Sequence, residues 1–335
     1  MDVVSLGECM ALAFPPEPVG LAESPLLQLD IAGAESNLCI GLSRLGFRAR
    51  FISRVGEDPF GRRIRQVLEQ EGVDTQALIT DPDAPTGVFF REHLPDGQRR
   101  VYYYRKGSAA SRLSPEDLHP DFFRGARVVH LTGITPALSP SCAAACGRAV
   151  ELARQVGAVI SFDPNYRPRL WEPGAARAVL LPLMAQANIL LMGHEDVQAV
   201  FGTENIEEAL RRGCDMGASV VVLKRGEHGA CALADDGTEH RGQIIEVPAH
   251  PPTQVVDPVG AGDGFDAGFL AGWLQGWKLE ECLQLGARIG AAAVSVMGDY
   301  AGYPRERIAS KGSPSEGNTR EGGTSGGSPS LAMKP

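Results

Sequence analysis

Short β-branched runs, each followed by a stretch with helical spacing, recur along most of this chain. That alternation constrains its fold more than any other feature. VVSL at residues 3–6 ends at Gly7, as a buried strand entering a loop does. A helix ending near Gly46 follows, then a strand over residues 49–54, then the helix FGRRIRQVLEQEGV with its stop glycine at Gly72. The pattern resumes with the strand ARVVHLTG, the helix SPSCAAACGRAVELARQVG and the strand AVISFDPN. NILLMG and SVVVLKRG are further strands, with a helix through NIEEALRRGCDMG between them. Apolar strands separated by helices imply crossover connections, and so an α/β fold with a central, mostly parallel sheet flanked by helices.

Two regions break the rhythm. Residues from about 11–35 and 86–110 hold strand-like segments without intervening helices. TGVFFREHLPDGQRRVYYYR reads as a hairpin around Pro95, Asp96 and Gly97, and it carries Tyr102, Tyr103 and Tyr104. These segments are expected to form a small β-sheet projecting from the main one as a lid over its strand ends. An edge extension or a dimer surface is the plainer reading. From 310 to 335 Gly, Ser and Pro dominate, leaving almost nothing to bury, so a single domain at 1–309 is expected to end in a disordered tail.

Composition removes several classes of function. A net charge of -9 gives no basic face for nucleic acid. The seven cysteines are scattered with no CxxC, which suits reduced thiols in a cytoplasmic protein. The seven histidines show no HExxH or other metal spacing. No apolar run approaches a membrane span, and the opening MDVVSLGECMALAF lacks the basic start of a signal peptide.

The stretch VVDPVGAGDGFDAGF, residues 255–269, carries the chemistry. Residues 259–262 would be a turn and 263–273 the helix after it. Glycines let the backbone approach a ligand, and the free N–H groups of a helix start hold an anion. Asp263 beside such a site would repel that anion. It makes sense if its carboxylate takes a proton from an attacking hydroxyl while the amides stabilise charge on the transferring group. Spacing leaves a second reading open, an aspartate that merely caps or stabilises the helix. Neither GxxxxGK[ST] nor a strand-linked GxGxxG is present.

DPVGAGDGFDAGF resembles the C-terminal signature DTxGAGDxFxxGF of the ribokinase-like (PfkB) sugar kinases. GAESNLCIGLSRLG and VGEDPFG are similar to that family's GGxxxNxAxxLxxLG and GxDxxG segments, and LKRGEHGA and GAAAVSVMGD extend the likeness to about residue 307. The resemblance implies a ribokinase-like fold with a projecting lid. It also implies ATP as phosphoryl donor with Mg2+, and leaves room for a monovalent cation such as K+. VYYYRKGSAAS and FDPNYRPRLW resemble the 2-keto-3-deoxygluconate kinases within that family, whose matching residues, here Tyr103, Arg105 and Arg167, contact an acidic sugar. A planar carboxylate gives guanidinium groups a partner that a neutral sugar lacks.

Carried over residue by residue, the resemblance implies a full site. Gly33, Asn37 and Ile134 join Tyr103, Arg105 and Arg167 around the sugar, with Asp263 as base for its terminal hydroxyl. The N–H groups around Gly260, Ala261 and Gly262 form the anion hole. Asn165, Asn188, Lys224, Gly226, Gly229 and Gly262 line the ATP side, and Glu195, with Asp196 as rival, helps organise magnesium. Adenine is expected against residues 291–294. The sequence departs from the family pattern at Ala34, Gly193, Pro258 and Arg288.

The implied activity is phosphorylation of 2-keto-3-deoxygluconate at its terminal hydroxyl by a cytoplasmic enzyme. Its partners would be a sugar acid and ATP, with no nucleic acid and no membrane. A homodimer or higher assembly is expected, because unpaired lid edges invite pairing. The rivals are a kinase of fructose or 5-keto-2-deoxygluconate and a sugar-acid-binding protein without catalysis.

Overall fold

VVSL is buried at all four positions, as a strand covered on both faces must be. In the computed structural model, which describes residues 1–235 and 242–308, this strand lies inside a nine-stranded sheet. The tail expected at 310–335 falls outside the described residues.

In chain order, β1 (Val3–Leu6) is followed by β2 (Met10–Phe14), β3 (Gln28–Ala32), α1 (Ala34–Arg44) and β4 (Ala49–Gly56). Then come α2 (Pro59–Gln70), β5 (Leu78–Asp81), β6 (Val88–His93), β7 (Arg99–Tyr104) and β8 (Val128–Thr132). The middle holds α3 (Ile134–Leu138), α4 (Pro140–Gln155), β9 (Val159–Asp163), α5 (Pro173–Met184) and β10 (Ile189–Gly193). The last stretch is α6 (His194–Phe201), α7 (Ile206–Asp215), β11 (Val220–Lys224), β12 (Ala230–Ala234), β13 (Ile244–Val247), α8 (Ala261–Leu274) and α9 (Leu279–Ala293).

The large sheet has the order β13-β12-β11-β10-β9-β8-β1-β4-β5. It is parallel from β5 to β11 and antiparallel at β12 and β13. From β1 the chain builds outward through β4 and β5, and from β8 it builds the opposite way. The order therefore reverses between β1 and β8, and the carboxyl ends of β1, β8, β9, β10 and β11 open on one side of that point, where such sheets bind ligands. Successive residues alternate between two cores. Val3, Leu191 and Val222 face one with α1, α8 and α9, while Val4, Leu190 and Val221 face the other with α4 to α7. Within the first core α8 and α9 meet closely, because a Cβ on Gly268 would sit 2.9 Å from the Leu285 carbonyl oxygen. Among the described residues no helix is long and apolar enough to cross a membrane.

The two irregular regions form a separate four-stranded sheet, β3-β2-β6-β7. One face buries Met10, Leu12, Phe14 and Phe89. Its edge strands leave Leu29, Tyr102, Tyr103 and Tyr104 exposed. Asp58 caps α2 through the Gly61 N–H at 2.8 Å and accepts the Thr86 N–H at 2.8 Å, tying the main body to the segment that enters β6. Arginines dock the small sheet further, Arg99 donating to the Val256 carbonyl at 3.0 Å and Arg169 to the Val101 carbonyl at 2.7 Å.

Candidate active site

Gly260 turns the chain into α8 with φ of +82°, and a Cβ there would lie 1.8 Å from the Asp299 carbonyl oxygen, so only glycine fits. Tyr303 Oη donates to the Gly260 carbonyl at 2.6 Å, and Asp257 Oδ1 accepts the Val259 N–H at 3.2 Å. The helix begins at Ala261, two residues earlier than the spacing suggested. Gly262 and Asp263 thus lie in its first turn, whose N–H groups have no carbonyl four residues back within the helix. Gly262 is exposed.

Asp263 does not cap this helix. Its Oδ2 accepts from Asn37 Nδ2 at 2.8 Å, and among the described residues no backbone N–H donates to it. Burial raises the pKa of its carboxyl above the ordinary value, opposed by the Asn37 hydrogen bond and the charge of Arg167. A carboxyl more avid for protons than a free aspartate's therefore lies in the first turn after Gly260.

Three charged groups underlie the turn. Lys224 Nζ, at the end of β11, lies 2.9 Å from both Asp163 Oδ2 and Asp266 Oδ1. Burial alone would raise Asp163, but Lys224 and a hydrogen bond from Asp266 together lower it, while burial pushes Asp266 up. Asn165 follows with φ of +39°, a left-handed conformation that asparagine tolerates, and its N–H bonds Asp163 Oδ1 at 3.0 Å. Gly226 and Gly229 form the turn between β11 and β12, beside Lys224.

One sequence expectation changes here. Asn188 does not reach this end of the sheet. It precedes β10, where its Oδ1 accepts the Ile160 N–H at 2.9 Å, roughly 16 Å from Gly193 at a strand's rise per residue. Its amide fills a pairing gap between strands at their amino ends. Of the two rival acids, Glu195 is exposed, whereas Asp196 is buried and accepts the Gly193 and Tyr166 N–H groups at 2.6 and 2.7 Å. Burial and the nearby Asp163 push Asp196 up to about 6. Among the described residues no three His, Cys, Asp or Glu side chains gather as a metal-holding group.

Of the residues expected around the sugar, Gly33 precedes α1 and Asn37 is buried in its second turn with Oδ1 unpartnered. Ile134 opens α3 directly after β8. Tyr103 stacks on Phe89 at 5.4 Å, with the Arg105 guanidinium 5.7 Å from its ring centroid. Arg105 is not free, because its Nε donates to the buried Glu8 at 2.6 Å and its Nη2 also pairs there. Arg167 is exposed and makes no side-chain hydrogen bond or ion pair among the described residues, yet its charge reaches Asp263.

A cavity of about 630 Å³ opens between the segment after β13 and α9, lined by His250, Trp277, Leu285 and Arg288 among others. It lies about one turn along α9 from residues 291–294. Glu8, Arg91, Asp299 and Tyr303 were not singled out from sequence. Their partners lie far away in the chain, and no local motif signals them.

Comparison with known proteins adds to this geometry. The family described as pfkB family carbohydrate kinase matches residues 1–306. A 2-dehydro-3-deoxygluconokinase of Bacillus subtilis is 38% identical over 92% of this chain and 95% of its own length. Fructokinase-1 of Oryza sativa is 31% identical over 91% of this chain and 95% of its own. A solved structure of a putative ribokinase II from E. coli, in complex with ATP and Mg2+, superposes with a TM-score of 0.81 at 26% identity. It covers 90% of this chain and 95% of that one.

Proposed function

The chain belongs to the pfkB family of carbohydrate kinases, and within that family we propose that it phosphorylates 2-keto-3-deoxygluconate on its terminal hydroxyl. The observation that carries the kinase chemistry is Asp263, held by Asn37 and freed from capping, beside the Gly260 turn. Its carboxylate takes the proton of the terminal hydroxyl as the oxygen–phosphorus bond forms and the bond to the departing diphosphate breaks. The N–H groups around Gly260, Ala261 and Gly262 hold the charge of the transferring group. Asn165, Lys224, Gly226 and Gly229 border the nucleotide, and the 630 Å³ cavity accepts its base. ATP supplies the phosphoryl group, and Mg2+ neutralises its charge when bound. That cation would be held chiefly by the ATP phosphates and water, with Glu195 at its edge.

Gly33, Asn37 and Ile134 contact the sugar hydroxyls, and Tyr103 covers them. Arg105 already shares its charge with Glu8, so Arg167 supplies the main unshared cation for the sugar carboxylate. Arg167→Met is expected to raise the KM for the sugar acid by about 10- to 100-fold, the worth of a charged hydrogen bond. Thermal stability should hardly change, because the side chain is exposed and unpaired. An equal loss with a neutral sugar would remove this role.

Raised pKa also has a kinetic sign. Asp263 must be ionised to act, so activity should fall on the acid side at a higher pH than an ordinary carboxylate would give. Arg167 opposes that rise, so Arg167→Met should move the acid limb of the kcat/KM profile further up. A limb in the ordinary carboxylate range, unmoved by the substitution, would count against Asp263 as base.

Similarity to fructokinases keeps one rival open. A coupled assay comparing the gluconate- and galactonate-derived keto-deoxy acids, 5-keto-2-deoxygluconate, fructose and ribose tests the proposal. Fast turnover of fructose with none of the acids would overturn the substrate and leave the kinase standing.

A further inference from the structure

Arg91 belongs to β6 in the small sheet, yet its side chain leaves that sheet and is almost completely buried, 1% exposed. Its Nη1 lies 2.9 Å from Asp299 Oδ1 and its Nη2 3.1 Å from Asp257 Oδ2. His93, also on β6, approaches Asp257 at 3.8 Å, and burial holds its pKa below the usual value. The cluster therefore consists of one guanidinium and two buried carboxylates.

Both carboxylates belong to the backbone that shapes the glycine turn. Asp257 accepts the Val259 N–H, and the Asp299 carbonyl is the group against which Gly260 is packed. A buried ion pair adds little stability over an apolar replacement. Its placement therefore calls for another account.

We propose, resting on the kinase reading above, that Arg91 is a positioning residue for phosphoryl transfer. It ties the small sheet over the sugar to the carboxylates that brace the anion turn. Seating the sugar beneath the sheet and setting the turn are then one event, and sugar and nucleotide bind cooperatively through Arg91.

Electrostatics gives the proposal a signature. Asp299 is pushed up to about 6 by burial, with Arg91 opposing and Asp263 and Asp257 adding to the rise. Asp263 in turn faces Asn37 and Glu35 from α1, Arg167 from the segment after β9, Asp163 from β9, Lys224 from β11, and Asp299 and Tyr303 from the segment after α9. Removing the Arg91 charge leaves two buried carboxyls without a cation, and the one that stays ionised, no longer offset by the guanidinium, makes Asp263 harder to ionise.

The test compares wild type, Arg91→Met, Arg91→Lys, Asp299→Asn and the double variant Arg91→Met/Asp299→Asn, using whichever sugar the wild type turns over. Binding of a non-hydrolysable ATP analogue with Mg2+ is measured by calorimetry with and without that sugar. In the wild type the sugar should tighten analogue binding by about 5-fold or more, the usual size of such coupling. Arg91→Met should lose that coupling and about 100-fold in kcat per folded molecule, with KM for the sugar changed far less. Its acid limb should move up, and Arg91→Met/Asp299→Asn should move it back and regain part of kcat. Folded Arg91→Met that keeps kcat, coupling and acid limb overturns the proposal. Should Arg91→Met not fold, Asp299→Asn with an acid limb and coupling identical to wild type overturns it equally. A wild type that turns over no sugar counts instead against the kinase reading.

Discussion

The Asp263→Asn protein is expected to fold, bind sugar and nucleotide, and turn over about 10³-fold more slowly than wild type, the usual cost of losing a positioned general base. An asparagine oxygen can still accept from Asn37 Nδ2, which now sits 2.8 Å from Asp263 Oδ2, so the local geometry survives. The carboxyl's raised pKa sets the sign for stability. A carboxylate that binds its proton more tightly when folded than when unfolded is destabilising at neutral pH, where it is ionised. The neutral amide removes that cost, so thermal stability should stay equal or rise while activity collapses. Steady-state kinetics, sugar titration and a melting curve on one preparation check all three parts. Near-wild-type kcat would remove Asp263 as base, and a large fall in melting temperature would mean that its role is structural.

That pairing of Asp263 with Asn37 also shows where the sequence could and could not be read. Both residues lie in recognisable stretches, GAESN and GAGD, but nothing local says that residues 37 and 263 touch. The parallel strands were legible because full burial writes itself as uninterrupted apolar runs, as in VVSL and VVVLK. Short or alanine-rich elements were not. ACALA forms β12, and HEDVQAVF forms an eight-residue helix too short to show a period. PGAARAVLLPLM forms α5 despite Pro182 inside it, which argues against a helix from sequence alone. Asn188 misled because an amide near a strand reads the same at either end of the sheet. Arg91 lay inside the hairpin stretch TGVFFREHLPDGQRRVYYYR without being singled out, since its partner Asp299 lies 208 residues away.

Lys224→Met is expected to cost about 3–5 kcal/mol of stability, because it breaks a buried ion cluster by removing its only cation. For a chain of this size that corresponds to a fall in melting temperature on the order of 10 °C. The resemblance implied a place for Lys224 on the nucleotide side, and Lys224 is the last residue of β11. Its amine is nevertheless already engaged by Asp163 from β9 and Asp266 from α8. Asp266 lies one turn beyond Asp263, so the lysine anchors the base's helix to the strand ends. In the wild type, Lys224 is raised by its two partners, and its contribution is present below its ordinary pKa and lost only as pH rises through the folded value. Asp163 is lowered, and its contribution is present above the ordinary carboxylate value and lost as pH falls through the folded one. Asp266 runs the other way, because burial raises it and it adds stability as pH falls through its folded value. Without the amine, two buried carboxyls must share one environment, and one of them takes up a proton. The variant's stability should then rise more steeply than the wild type's as pH falls towards 5, and Lys224→Met/Asp266→Asn should recover part of the loss at neutral pH. A Lys224→Met protein melting within a degree or two of wild type at pH 7 and at pH 5 would show that the cluster does not hold α8 in place.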